Sequence, residues 1–272
     1  MSREIRVCAL ASGSSGNAVV VTAGNESLLI DAGLSAQTVA NRCKRIGVSP
    51  ETLRGILLTH EHHDHSCGAG IIARRYGIPI ISNEATLTAC AERDSLTHPN
   101  HVLPTGESQS FGAFDVQSFP IPHNAAEPVG YALTLGACKI FYATDVGSIT
   151  PALQSALSDA NLIVLEANHD LQWLLHGSYT PEMKARVASP IGHLSNAECG
   201  TALAQRLKEE TPCTIWLAHL SRINNSPALA KRTVLECIGK STTTPYKLEV
   251  ALRDQPSLTW RYGSQAHQLS LL

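Results

Sequence analysis

The stretch Ile56–Gly68, ILLTHEHHDHSCG, constrains this chain more than any other. The apolar residues of a buried strand run straight into His60, His62, His63 and His65, with Asp64 among them. The spacing is His60-x-His62-x-Asp64-His65. On an extended or irregular loop, residues 60 and 62 project to one side, and Asp64 and His65 can diverge to a second point. One short loop can then offer two ligands to each of two metal ions. A helical zinc site would use histidines at i and i+4, as in His-Glu-x-x-His. That pattern is absent here.

The rest of the chain must supply a layered core behind this loop. Hydrophobic residues make up 43% of the 272 residues but aromatics only 5%, so the core is built mainly from Val, Ile, Leu and Ala. Short β-like runs open the sequence at Arg6–Ala11, Ala18–Thr22 and Ser27–Ile30, separated by Gly/Ser/Asn turns. A helix from Ser35 to about Ile46, the strand Gly55–Leu58, a helix closed by Gly77, the strand IPIIS and the helix EATLTACAER follow. The middle returns to β at Gln109–Phe111, Phe114–Phe119, Val129–Leu135 and Lys139–Thr144. Then the strand Leu162–Glu166, the helix Asn196–Lys208, the strand Thr214–Leu217 and the helix Pro227–Ile238 alternate, and two strands end the chain. Ser195 and Glu198 form a capping box, and Pro227 sits in the first turn of its helix. A β-meander followed by α/β, twice over, predicts two mixed sheets with helices on their outer faces. The expectation is one α/β (α+β) domain over 1–272, a four-layer αββα sandwich.

Charge and cysteine content narrow the setting. The net charge is −2, so a nucleic-acid partner needs a local basic patch. Arg74, Arg75, Arg222, Lys231 and Arg232 are candidates for one, or are solvated helix faces. No run approaches the ~20 apolar residues of a membrane span, and the N-terminus carries no long apolar segment of a signal peptide. No membrane partner is expected. Eight cysteines without a Cys-x-x-Cys pair read as reduced, mostly buried thiols of a cytoplasmic protein.

THEHHDH, preceded by LLIDAG at Leu28–Gly33, resembles the signature of the metallo-β-lactamase superfamily. The resemblance implies an αββα sandwich with a dinuclear site on one edge. The later motifs of that pattern occur in order: IPHN with His123, FYATDVG with Asp145 and IWLAHLSRINN with His219, each at the carboxyl end of a β-run. It implies that His60, His62 and His123 hold one metal, that Asp64, His65 and His219 hold the other, and that Asp145 bridges them. Asp31 would support the His loop without ligating. His63 occupies a variable position and is expected behind the ligands or facing solvent. His98, His101, His176 and His267 lie outside any motif and are expected at the surface.

LASGSSGNA, HNAAEPVGYAL, LEANHD, GHLSN and LAHLSRINNSP are similar to the YycJ/WalJ group, which implies a metal-dependent 5′-to-3′ exonuclease acting on DNA. Imidazole and carboxylate ligands suit two ions of Zn, Mn or Fe. Asp64 and His193 are the side chains expected to take part directly in the chemistry, His193 as proton donor beside a helix N-terminus. The loop Ser12–Asn17, with Ser14, Ser15 and Asn17, either cradles a phosphate or is a hairpin turn. Asn168 and His169 with Glu166 and Asp170 either line the site or form a structural hydrogen-bond cluster. Ser195, Asn196 and Arg222 complete the expected substrate contacts. A cyclic phosphodiesterase or thioesterase of the same fold, and a metal-stabilised binding protein without turnover, are the competing readings.

Overall fold

The computed structural model describes residues 4–93, 99–239 and 242–263. His98 and His267 lie outside them. The first half contains β1 (Ile5–Ala11), β2 (Ala18–Ala23), β3 (Glu26–Ile30), α1 (Ala36–Arg45), β4 (Leu53–Leu57), α2 (His63–Ser66), α3 (Ala69–Tyr76), β5 (Ile80–Ser82), α4 (Glu84–Arg93) and β6 (Asn100–Val102). The middle contains β7 (Ser108–Phe111), β8 (Phe114–Pro120), β9 (Val129–Leu135) and β10 (Cys138–Ala143). Then come α5 (Pro151–Leu157), β11 (Leu162–Glu166), α6 (Leu171–His176), α7 (Pro181–Val187), α8 (Asn196–Arg206), β12 (Cys213–Ala218), α9 (Pro227–Ile238), β13 (Tyr246–Val250) and β14 (Thr259–Tyr262).

The strands form two seven-stranded mixed sheets, ordered β14-β1-β2-β3-β4-β5-β6 and β13-β12-β11-β10-β9-β8-β7. The expected αββα layering is present. One apolar layer lies between the sheets and includes Val7, Ala9, Leu28, Ile30, Ile140, Tyr142, Val164 and Trp216. A second packs the outer face of the first sheet under α1, α3 and α4, through Cys8, Leu10, Leu29, Ile56, Val39 and Ile72. A third packs the second sheet under α5, α8 and α9, through Phe141, Ile163, Ile215, Leu153, Leu203 and Val234. Consecutive residues of β1, β3, β10, β11 and β12 thus alternate between two buried layers, the period-2 geometry of a strand covered on both faces. That is why these strands read as unbroken apolar runs. Two buried tyrosines tie the second sheet to the first. Tyr131 donates its hydroxyl to Leu58 O at 2.8 Å and Tyr142 to Asp31 Oδ2 at 3.2 Å, which satisfies polar tips in an apolar layer.

The helices α5, α6 and α7 were not anticipated, being six or seven residues long. Two of them carry a local signal: Thr150 and Thr180 each cap a helix whose first residue is proline, the same Ser/Thr-Pro start as Ser226–Pro227. β3 and β4 run parallel, as do β10, β11 and β12. β9 is antiparallel to both β8 and β10, so β8 shares their direction. The carboxyl ends of these six strands carry the site.

Candidate metal centre

Each functional side chain leaves the carboxyl end of a strand: Asp31 from β3, Thr59 and His60 from β4, His123 from β8, Asp145 from β10, Glu166 from β11 and His219 from β12. Asp31, Asp145 and His219 have positive φ, at 58°, 57° and 53°. Only Asp159 joins them among the described non-glycine residues. Left-handed backbone is unfavourable for residues with a side chain and is held only where the surroundings over-determine it. Here they do. His219 N donates to Ser12 Oγ at 2.8 Å and His219 O accepts from Asn168 Nδ2 at 2.9 Å. Asp31 N donates to Leu57 O at 2.8 Å. The turn after Asp145 is fixed by Val146 N donating to Glu166 Oε2 at 2.7 Å.

The His loop is half irregular and half helical. Residues 60–62 are non-helical, and α2 begins at His63. Successive residues on a helical turn point ~100° apart, so Asp64 and His65 separate from the His60–His62 pair. The rings of His60, His62 and His123 stand 4.5–5.2 Å apart, centre to centre. His65 and His219 are 5.8 Å apart. Ligand atoms of His60, His62 and His123 lie within 4.8 Å of one another, as do those of Asp64, His65 and His219, and those of His60, His65 and Asp145. Asp145 is buried at the junction.

One nitrogen of each of four rings is already committed. Nδ1 faces Thr59 Oγ1 in His60 at 3.0 Å, Asp31 Oδ2 in His65 at 2.8 Å, Gly192 O in His123 at 3.0 Å and Glu166 Oε1 in His219 at 2.7 Å. Thr59 in turn donates its hydroxyl to Asp31, at 2.9 and 3.1 Å from the two carboxylate oxygens. A cation that takes Nε2 leaves the proton on Nδ1, where each partner can accept it. The buried Nε2 atoms of His60 and His219 and Oδ2 of Asp145 have no hydrogen-bond partner. Asp145 Oδ2 lies only 2.6 Å from His65 Nε2, without the geometry of a hydrogen bond. Buried acceptors left unsatisfied are costly, and a divalent cation satisfies them together. The donor set, imidazole plus carboxylate, fits a divalent metal.

Protons and a cation compete for this site. Burial opposes charge on His65 and His219, but Asp31 and Asp145 hold the first well above the ordinary imidazole value and Asp145 brings the second to about 10. A bound cation would displace those protons. Burial opposes ionisation of Asp145, but the imidazoles of His219 and His65 outweigh it and hold the carboxyl well below the usual range. Burial likewise opposes the charge on Glu166, and His193 and His219 overcome it, bringing the carboxyl to about 2. Burial holds His60 well below the ordinary imidazole value, reinforced by His65, so its ring is neutral and able to ligate.

A family model described as a β-lactamase superfamily domain matches residues 26–215. The chain belongs to the metallo-β-lactamase superfamily. It is 36% identical over 231 residues to a protein of Bacillus anthracis named Exodeoxyribonuclease YycJ, covering 84% of this chain and 87% of that one. It is 35% identical over 236 residues to Exodeoxyribonuclease WalJ of Streptococcus pneumoniae serotype 2, covering 85% and 87%. Solved structures share the fold. The metallo-β-lactamase fold protein YhfI of Bacillus subtilis superposes with a TM-score of 0.70 at 17% identity, covering 96% of this chain and all of that one. The zinc-bound PqqB of Methylobacterium extorquens gives 0.68 at 15% identity, covering 94% and 99%.

Within this superfamily fold, several of the expected substrate contacts have partners inside the protein. In the loop Ser12–Asn17, three of the backbone amides are spent inside the protein. Gly13 N donates to Asn17 Oδ1 at 2.8 Å, Gly16 N to Gly13 O at 2.8 Å and Asn17 N to Asp64 O at 2.8 Å. Asn17 is buried and its Nδ2 lies 2.9 Å from His65 Nε2. Ser14 and Ser15 are exposed, Ser15 bonded to Asp254 at 2.9 Å. Asn168 braces His219, as above. His169 is buried and its backbone bridges to Ser195. Ser195 caps α8, and Glu198 Oε2 reaches back to Ser195 N at 2.9 Å, so a carboxylate already occupies that helix N-terminus. Asn196 pairs with Asn225 at 3.1 Å. Asn168 and Asn196 are thus held by partners far away in sequence, and Ser195 by the first turn of its own helix.

Of the remaining candidates, Arg222 and His63 are exposed. His176 is exposed too, and His101 is half-buried with Nε2 2.8 Å from Gln109 Oε1. His193 stands at the centre, its ring 5.2 Å from His123 and 5.5 Å from His219, with Nδ1 2.9 Å from Glu166 Oε1. Asp64 remains ionised: burial opposes it, but His219 and His65 lower its carboxyl below the ordinary range. Among the described residues no helix is long and apolar enough to cross a membrane. Sequence reasoning left the role of Glu166 open. It accepts from both His193 and His219, and its other oxygen takes Val146 N and Leu194 N at 2.7 and 3.2 Å. Its position at the end of LIVLE, level with Asp145 and His219 in the neighbouring strands, was the available signal.

Proposed function

We propose that this protein is a divalent-metal-dependent phosphodiesterase that degrades DNA as an exonuclease, proceeding 5′ to 3′. The single observation that carries the metal-dependent chemistry is the convergence of imidazole nitrogens around Asp145, with the other nitrogen of four of the rings already committed. Similarity to the two exodeoxyribonucleases over most of the chain supports DNA as the substrate. His60, His62 and His123 would hold one ion, Asp64, His65 and His219 a second, and Asp145 would contact both. Ions of Zn, Mn or Fe suit such donors. Bound there, two ions supply Lewis acidity toward the phosphoryl oxygens and lower the pKa of water from 15.7 toward ~7.

The chain's own residues do the rest. Asp31 and Thr59 fix the tautomers of His65 and His60, so the site is built before substrate arrives. Glu166 orients His219 from below and His193 from the side. His193, with Nδ1 on Glu166 and its side chain 23% exposed, gives its Nε2 proton to the departing sugar oxygen. Asp64, held as a carboxylate, serves as ligand. Exposed Arg222, three residues past His219, meets a neighbouring phosphate.

The test is a substrate panel on metal-replete protein: 5′-phosphorylated duplex and single-stranded DNA, a ribose cyclic phosphate, an acyl thioester and a bis-aryl phosphate. DNA shortened from the 5′ end, with about two metal equivalents per chain, is expected. His62→Ala is expected to lower metal content and abolish turnover while the chain stays folded. Efficient hydrolysis of the cyclic phosphate or thioester with DNA untouched overturns the reading.

A further inference from the structure

Between β11 and α8 the chain leaves the layered core for residues 171–191. Only Leu174 in that stretch is buried, and α7 has no buried residue at all. Yet it carries Leu171, Trp173, Leu175, Met183 and Ile191, five of the ten large exposed apolar side chains among the described residues. A segment burying so little contributes little to the core, so its exposed side chains are free to serve another purpose.

Both ends of the segment adjoin residues that brace the metal centre. It starts just after Asn168 and His169, and Asp170 caps α6 by accepting from Trp173 N at 3.0 Å. It ends at Gly192, whose carbonyl takes His123 Nδ1, and at His193. Trp173 is 48% exposed and lines an open cleft of about 390 Å³ with Gln172, His176, Gly177 and Ile223. Ile223 follows Arg222, so the loop that leaves His219 forms the other wall. Behind Gly177 the Asn224 amide is buried, with neither Nδ2 nor Oδ1 hydrogen bonded. Arg222, next to Ile223 in the chain, is exposed.

We propose that Trp173 is a stacking platform for an unpaired base of the DNA strand being cut, with Arg222 on an adjacent phosphate. The proposal rests on the exodeoxyribonuclease reading and specifies how the strand is held. A phosphodiester reaches a metal centre at a strand end only if the terminal bases leave the duplex stack. An aromatic face beside the site restores that lost stacking without selecting a sequence, and nearby guanidinium groups track the backbone. The paired walls, one indole and one aliphatic, fit the flat apolar faces of a base.

Tryptophan fluorescence of the metal-replete enzyme tests this, because Trp216 and Trp260 are buried and Trp173 is the tryptophan open to a base. A 5′-phosphorylated single-stranded oligonucleotide with phosphorothioate linkages is expected to quench that emission. Trp173→Ala is expected to remove the quenching and to raise KM for single-stranded DNA roughly 5- to 150-fold, the equivalent of ~1–3 kcal/mol per stacked base, with kcat changed far less. Trp173→Phe is expected to recover most of the KM. If wild-type protein cleaves DNA while emission stays constant and Trp173→Ala keeps its KM, the platform is wrong and the exonuclease reading stands. If the wild-type enzyme neither binds nor cleaves DNA, both fall. A dimer in sedimentation that Trp173→Ala dissociates, with KM for DNA unaltered, makes the patch a contact between copies and overturns the proposal.

Discussion

Asp31 and Glu166 do at the residue scale what ligands cannot do for themselves. Each is fully buried and each accepts from two side chains of the site: Asp31 from Thr59 and His65, Glu166 from His193 and His219. Groups behind a metal ligand typically matter 10–100-fold in affinity or activity. Glu166→Gln keeps the shape but removes the charge and turns an amide N–H toward backbone donors. We expect metal affinity to fall by about 10- to 100-fold, read by competition with a chelator and by metal analysis. Unchanged affinity would make Glu166 a bystander. His193 offers a sharper distinction. An alkoxide leaves poorly without a proton, and general acid catalysis contributes ~10²–10⁴-fold. A nitrophenolate needs no such help. His193→Ala is therefore expected to slow DNA cleavage by about that factor and nitrophenyl ester hydrolysis far less. Equal losses on both substrates remove the acid role, and a loss of metal makes His193 a ligand.

At the scale of elements, the site depends on close backbone approach. Gly33, after β3, packs against the start of α2: a Cβ there would lie 1.6 Å from Asp64 O and 2.8 Å from Asn17 N. Asn17 N already donates to Asp64 O at 2.8 Å, and Gly33 N donates to Asn17 O at 2.9 Å. Three loops from β1, β3 and β4 therefore share one seam, and only glycine fits it. Gly33→Ala is expected to push α2 away. The cost is about 1–3 kcal/mol, with metal lost along with stability. The urea midpoint and metal content measured together check this. Full metal content in a stable Gly33→Ala protein would show that α2 tolerates the shift.

For the whole molecule, the buried thiols set an alkaline limit. Six of the eight cysteines are buried. Burial pushes the Cys43 and Cys138 thiols up to about 12 and Cys213 to about 11, and raises Cys199 further. In the unfolded chain such thiols ionise near pH 8.5. Below that value both states are protonated and the thiols leave stability unchanged with pH. Above it the unfolded state has released protons that the native state retains, so stability falls as pH rises toward each native value. The slope is ~1.4 kcal/mol per pH unit for each thiol. The urea midpoint is expected to fall steeply between pH 9 and 11, and Cys199→Ala to flatten the decline by about one thiol's share. An identical slope in Cys199→Ala would place the effect elsewhere. In the native state at pH 8, thiol reagents are expected to label Cys67 and Cys237, the two partly exposed cysteines.

The cluster His60, His62, Asp64 and His65 was legible because its geometry is local: an apolar strand, a short irregular turn and one helical turn place four donors without help from the rest of the chain. The layers were legible because strands buried on both faces leave unbroken apolar runs and outer helices leave one-sided ones. Asp145 and His219 could be expected at strand ends. What holds them there could not, since it comes from far away in sequence: Ser12 on His219, Tyr142 on Asp31, Gly192 on His123. Asn168 and Asn196 show the converse. Their types suit a phosphate, but each makes hydrogen bonds to backbone or side chains that only the folded chain brings near. A side chain's identity sets which bonds it can make. Tertiary packing sets which partner arrives first, because in a dry interior every buried polar group must be satisfied by whatever the fold places within about 3 Å.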